Sequence, residues 1–349
     1  MDRILVTHFS GPIGQRLSHY FREREVLIDG VDSFFPTGFK NAPTGSPRYQ
    51  SWLDRQVPGF MHYEVDIRNR EAVMVLIGEI RPKAIVHSVP PVPIDSPVGD
   101  ALTDCDLLIN GTLNLLEAMR RFCWQSPFIF LTTDRVYGDR TNTLRLDEKE
   151  SRWDFADPAY AHGISEEFPI DHSTHSIRGA AAAAADLLVQ EYGRSFHLPT
   201  CCLRGPVVTD PWHPDGVEYD ILARMVQAGI ETKPCAIAGH GARQVREAIH
   251  ADDVARFIEL YRANPRPGQV YNLGGGRENS YSILEAARLI DQQTGRRLQI
   301  THCESIPLGE HLCYFSDLRK IQQHYPEWRV SRSLPQIIGE LIEAGSSPT

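Results

Sequence analysis

Three features of the sequence predict an α/β fold built on a doubly wound parallel sheet. A short apolar strand, Arg3 to Thr7, runs straight into a glycine-bearing turn and then a helix from Ile13 to Arg22. A second strand, Val26 to Asp32, ends in an acid, and further short apolar strands alternate with helical stretches after it. At 349 residues the chain is long for one core, which predicts a large α/β domain carrying a smaller lobe.

The first turn reads Thr7-His8-Phe9-Ser10-Gly11-Pro12-Ile13-Gly14. Between a strand and a helix, glycines at Gly11 and Gly14 have a physical use: the first lets backbone approach a pyrophosphate, and the second lets helix pack on strand. The start of the helix, with Pro12 and Ile13, then turns its N-terminal end toward the phosphates. Asp32, at the end of the second strand, is placed to accept hydrogen bonds from ribose hydroxyls, which favours NAD over NADP. These signals predict a Rossmann domain. His8 departs from the pattern, for the first position of such a turn is normally glycine. If the turn requires positive φ there, a side chain costs roughly 1–2 kcal/mol, about tenfold in affinity.

The remaining elements follow in order. Asp66-Ile67-Arg68 closes a short strand, Ala84 to Ser88 reads as the fourth strand, and Ser88-Val89-Pro90 follows it at the sheet edge. Asn110 to Ala118 reads as a long helix, and Phe128 to Gly138 as a fifth strand ending Thr132-Thr133-Asp134-Arg135-Val136-Tyr137-Gly138. The stretch Thr174 to Gly193 contains six consecutive alanines, Ala180 to Ala185, and is a strong helix former. Later come Cys202-Leu203-Arg204-Gly205-Pro206, Arg246-Glu247-Ala248-Ile249-His250-Ala251-Asp252-Asp253, Tyr271-Asn272-Leu273-Gly274-Gly275-Gly276 and Ser316-Asp317-Leu318.

In this order and spacing the motifs resemble the extended short-chain dehydrogenase/reductases, the NAD-dependent sugar-nucleotide epimerases and dehydratases. The segments Glu150 to Trp153 and His162 to Asp171 are similar to the subgroup around CDP-paratose 2-epimerase. The resemblance covers nearly the whole chain. It implies a Rossmann domain of residues 1–206 plus 230–264, and a small, discontinuous C-terminal substrate-binding lobe of 207–229 plus 265–349. It implies NAD held by Gly11, Pro12, Ile13, Gly14, Asp32, Asp66, Ile67, Ser88 and Val89, and a nucleotide-linked sugar held by Arg204 and Arg246. Thr133 takes the place of the hydroxyl that contacts the sugar. It further implies a homodimer packed through the helices of Asn110–Met119 and Ala180–Tyr192.

Departures gather where the chemistry belongs. The family's active-site helix opens Tyr-Gly-x-Ser-Lys; the Tyr, Ser and Lys positions are here Arg178, Ala181 and Ala182. An arginine stays protonated at neutral pH and cannot act as a base, and an alanine offers neither charge nor hydrogen bond. Pro307 stands where relatives place the second arginine of a diphosphate clamp. His175 is a candidate replacement base, with His172 and Tyr160 behind it, and Arg178 a candidate clamp for an anion. Three readings follow: a diverged isomerase or lyase with a rebuilt acid–base set and weakened NAD; an inactive regulatory subunit; or a non-redox lyase, isomerase or cyclase in the same pocket.

Bulk properties exclude other classes. A net charge of −9 argues against nucleic acid. No run of 18 or more apolar residues suggests a membrane span. Seven cysteines lack metal or disulfide spacing, and the first strand starts almost at Met1, so a cytoplasmic protein without a signal peptide is expected. The fourteen histidines include no His-Glu-x-x-His pair, and no metal is expected.

Overall fold

The computed structural model describes residues 2–22, 24–32, 61–90, 100–213, 216–303 and 308–346. In chain order the first elements are β1 (Asp2–Thr7), α1 (Pro12–Arg22), β2 (Val26–Asp32), β3 (Met61–Glu64), α2 (Arg70–Ile80) and β4 (Ala84–Ser88). Next comes α3 (Ala101–Cys105), which runs through a π-helical segment (Asp106–Gly111) into α4 (Thr112–Phe122), and then β5 (Phe128–Thr133). A 3₁₀ stretch, Asp134–Thr143, leads to the hairpin β6 (Leu146–Glu148) and β7 (Trp153–Phe155). The long helix α5 (Ile177–Phe196) and β8 (Thr200–Gly205) complete this half.

Seven parallel strands form the main sheet in the order β11-β8-β5-β4-β1-β2-β3, with β11 at Gln269–Asn272. The chain builds outward from β1 to β3, then restarts at β4 on the other side. The switch point therefore lies between β1 and β4, and a crevice opens beyond their carboxyl ends. Successive side chains of a strand face opposite sides, so Ile4 and Val6 enter one buried layer and Leu5 the other. The first layer includes Leu17 and Phe21 of α1 with Phe257 and Ile258 of a helix at Ala251–Ala263; the second includes α2, α4 and Val189 of α5. This is the Rossmann fold that the strand and turn pattern predicts.

The smaller lobe has its own core. It gathers helices α6 (Gly216–Tyr219) and α7 (Ile221–Glu231), strand β9 (Pro234–Ala238), the later helices α9 (Ile283–Thr294) and α11 (Leu334–Ser346), and β13 (Gln299–Cys303). Helix α8 (Ala251–Ala263) belongs to the large domain, and β10 (Val245–Glu247) pairs antiparallel with β12 (Ser280–Ser282).

Two stretches fall on the other side of the expected boundaries. Strand β9, inside 230–264, pairs with β13 and buries Cys235 and Ile237 in the lobe core. Strand β11 and Ile321 of α10 (Arg319–His324), both beyond residue 265, join the large sheet and its core. The physical reason is register. Residues 269–272 pair with 201–204, so β11 takes the edge of β8, while β9 pairs with β13 in the lobe. Pro307 lies outside the described residues.

Candidate functional site

The crevice begins at the turn after β1. His8 adopts φ 48°, the left-handed region that favours glycine. Its ring stands where a side chain on Gly11 would project, so it covers the space that glycine keeps open. Burial lowers the His8 imidazole to about 4, with Asp32 pulling upward and His213 and Arg178 downward, so the ring is neutral at pH 7. Gly14 is irreplaceable for a different reason: a Cβ there would overlap the Phe9 backbone. Pro12 is the first residue of α1 and brings no N–H, leaving the helix end one donor poorer.

The carboxyl ends of β2 and β3 carry the expected acids. Asp32 is nearly buried and accepts hydrogen bonds from the Ser10 N–H at 3.1 Å and the Ser10 hydroxyl at 3.1 Å, with His62 Nε2 at 3.2 Å. Asp66 accepts from the backbone N–H of Arg68 at 2.9 Å and pairs with its guanidinium at 3.1 Å. Ile67 is buried against Gly111 of the π segment. Ser88 is joined to β1, its N–H donating to Thr7 Oγ1 at 3.1 Å, and Val89 packs partly buried beside it. Behind them lies a buried chain, Thr7 Oγ1 to His87 Nδ1 at 2.7 Å and His87 Nε2 to Thr112 Oγ1 at 2.9 Å. These residues fit a dinucleotide in backbone path and strand-end acids, provided the His8 ring turns away from Gly11.

Helix α5 closes the crevice from above. Ser176 caps it, its hydroxyl accepting from Gly179 N at 3.0 Å. Arg178, in the first turn, reaches across to the carboxylate of Asp104 in α3 and to the carbonyl of Pro90 after β4. Its charge is thus partnered inside the protein. Ala181 and Ala182, one turn on, are buried in an apolar cluster with Leu108, Val136 and Tyr137. His175 sits between two carbonyls, Ser173 O at 3.2 Å and Val136 O at 2.9 Å. A ring so placed has an acceptor facing each nitrogen and fastens the 3₁₀ stretch to the segment that leads into α5. His172 is exposed beside Asp171, and Tyr160 packs edge-on against Phe168.

The substrate side is built on the end of β5. Thr133 accepts from Arg135 N at 3.2 Å and donates to Asp134 at 3.1 Å. The backbone then reaches Gly138 at φ 56°, where any Cβ would collide with the Ser173 hydroxyl, which accounts for glycine after Tyr137. Arg246 of β10 points at the same region and meets Glu310, as does Arg135. Next to them His311 is 1% exposed, its ring stacked on Tyr314 at 4.9 Å and Nδ1 lying 3.9 Å from Asp134. Both His311 ring nitrogens are buried without a hydrogen-bond partner of standard geometry, and burial holds the imidazole well below its ordinary pKa.

Arg204 lies elsewhere. Its guanidinium grips Asp186 of α5 through two bonds, 3.0 and 2.7 Å, in the core behind Tyr137, at 3% exposure. That placement does not match the substrate contact expected of it: both arms are consumed, and the pair locks α5 to β8 instead. Glu247 is likewise structural. It accepts from Gly276 N at 2.6 Å and the Ser316 hydroxyl at 2.6 Å, joining two of the late motifs, and burial raises its carboxyl to about 7.

Sequence reasoning missed Asp104, Asp134, Arg135, Glu310 and His311. Asp134 and Arg135 directly follow Thr133, so their place beside it was readable. Nothing local points from Arg178 to Asp104, which is 74 residues away.

Comparison with known proteins agrees with this architecture. The model of the NAD dependent epimerase/dehydratase family matches residues 4–274. The chain is 27% identical to a CDP-paratose 2-epimerase of Salmonella typhi over 329 residues, 91% of this chain and 92% of that one. It is 27% identical over 292 residues to a dTDP-glucose 4,6-dehydratase of Neisseria meningitidis, covering 80% of this chain and 73% of the relative. Among solved structures, a dTDP-glucose 4,6-dehydratase of Bacillus anthracis in complex with NAD superposes with a TM-score of 0.77 at 21% identity, covering 99% of this chain and 96% of the other. A UDP-glucose 4-epimerase of Thermotoga maritima with UDP-glucose does so at 0.77 and 22%, covering 98% of each. With the family model spanning most of its length and the sheet, turn and crevice in place, the chain belongs to the NAD-dependent epimerase/dehydratase family.

Proposed function

We propose that the protein binds a nucleotide-linked sugar in the crevice beyond β4 and β5, binds NAD weakly, and performs the family's hydride-mediated chemistry very slowly or not at all. The observation that carries this reading is the pairing of Arg178 with Asp104 and the Pro90 carbonyl, with Ala182 buried in apolar surroundings one turn later. Where relatives have a base and a cation, this crevice has an internal ion pair and a methyl group.

NAD, when bound, supplies a hydride acceptor and donor. Gly11, Pro12, Ile13 and Gly14 would face its pyrophosphate, Asp32 its ribose, Asp66 and Ile67 its adenine, and Ser88 and Val89 its far half. Several of these groups already have partners within the chain, and each must yield a hydrogen bond to the cofactor. Thr133 would orient a sugar hydroxyl, and Arg246 would hold its diphosphate.

A second reading, an enzyme with proton chemistry but little redox, is favoured by one observation. Asp134 and a neutral, buried His311 stand together beside Thr133. A carboxylate at its side would stabilise the imidazolium formed when the ring takes a proton, against the burial and the Arg135 and Arg246 charges that hold the ring neutral. A homodimer through α4 and α5 also belongs to the proposal: Leu187 and Phe196 of α5 and Phe122 at the end of α4 are exposed large apolar residues.

Turnover of a panel of CDP-, UDP- and dTDP-sugars by the wild type and by Thr133→Val tests the reading. General acid–base help is worth about 10²–10⁴ in rate, so wild-type epimerisation is expected to fall at least that far below an intact relative. Brisk epimerisation, unaffected by Thr133→Val, would overturn it.

A further inference from the structure

Two guanidinium groups converge on one carboxylate at the substrate side. Arg135 Nη1 lies 2.7 Å from Glu310 Oε2, and Arg246 meets the other oxygen, Oε1. Backbone carbonyls fix both arginines: Arg135 donates to Gly309 O at 3.0 Å, and Arg246 to Val245 O at 2.8 Å and His311 O at 2.7 Å. The Arg246 and Glu310 side chains are each 16% exposed and Arg135 34%, so the triad is shielded yet still reaches solvent. Asp134 stands behind it, 3.9 Å from Arg135.

This arrangement has the form of an anion site holding an anion. Guanidinium forks match the oxygens of phosphate as well as those of carboxylate, and two forks aimed at one point select a group with several acceptor oxygens. Arg135 comes from β5's end and Arg246 from β10, so separate elements of the fold bring the two cations together. Burial and the nearby Arg135 push Arg246 down to about 10, the behaviour of a cation that needs an anion beside it. Glu310 supplies that anion, from a segment that follows the position of Pro307.

We propose that Arg135 and Arg246 form the clamp for the diphosphate of a nucleotide-linked substrate, and that Glu310 is an internal counter-ion which the diphosphate displaces on binding. The inference rests on the nucleotide-sugar reading above. Arg135 then replaces the clamp arginine whose place Pro307 takes. Two cations facing a diphosphate balance its charge, whereas with Glu310 in place they leave a single net positive charge. Binding therefore carries the cost of expelling Glu310, which sets the affinity.

Calorimetry with UDP and CDP on the full chain tests this, using the wild type, Glu310→Gln, Arg135→Ala and Arg246→Ala. Glu310→Gln should bind about tenfold tighter than wild type, and Arg135→Ala about tenfold weaker, the scale of one charge-assisted hydrogen bond. The gain in Glu310→Gln cannot arise from misfolding, so it stands even if an arginine variant is unstable. Glu310→Gln binding no better than wild type, or Arg135→Ala binding equally well, would overturn the clamp. If Arg246→Ala alone loses binding, the clamp assignment fails and the nucleotide-sugar reading survives. If no variant binds either nucleotide, both fail.

Discussion

His8 holds a backbone conformation that suits glycine, and its neutral ring covers Gly11. The ring opposes a dinucleotide, because it must move before a pyrophosphate can approach, whereas the strained turn costs stability in the free and bound states alike. His8→Gly is accordingly expected to tighten NAD binding by about tenfold or more in calorimetry; unchanged affinity would show that the ring is no obstacle. At this scale much of the site was legible. The substitutions at His8, Arg178 and Ala182 stand in a recognisable frame, and the positive φ at His8 follows from the glycine it replaces. Arg178's partnership was not legible, because Asp104 is distant in sequence and meets it only through the packing of α3 against α5. Nor was the burial of Arg204 against Asp186, since an arginine at a strand's end reads equally well as a ligand contact.

Among the elements, the fastening of β1 to β4 and to the start of α4 has a measurable consequence. His87 bridges Thr7 and Thr112 and stacks on Phe130 at 5.0 Å, and burial lowers its pKa to about 3. The unfolded chain takes up this proton near pH 6.5, and the folded one only near pH 3, so the unfolded state binds more protons between those values. Stability from this group is therefore complete above about pH 6.5 and declines as pH falls toward 3, by up to about 1.4 kcal/mol per pH unit. Urea titrations should show a shallower acid slope for His87→Gln than for wild type; equal slopes would mean that His87 already carries a proton in the fold. Strand and helix positions were mostly readable from apolar runs and turn residues. The π segment was not, for no apolar periodicity in Asp106–Gly111 marks its extra residue per turn.

For the whole molecule, the crevice at the switch point gathers residues from β1, β2, β4, β5, α5 and β10, as the order of strands requires. The partition between domain and lobe was legible only in outline, because the edge of β8 decides whether β9 or β11 joins the sheet. The apolar side chains exposed on α4 and α5 predict a dimer. Light scattering at micromolar concentration should give twice the chain mass, and charged replacements at Leu187 and Phe196 should give the monomer; a monomeric wild type would contradict this.

The central claim is that nucleotide-sugar binding persists where hydride transfer has been lost. The most direct measurement is the absorbance of reduced nicotinamide after mixing protein, saturating NAD and a bound nucleotide sugar in a single turnover. The account predicts no reduced nicotinamide from the wild type, and its appearance in Arg178→Tyr combined with Ala182→Lys. Rapid formation of reduced nicotinamide by the wild type, with Arg178 and Ala182 in place, would contradict it.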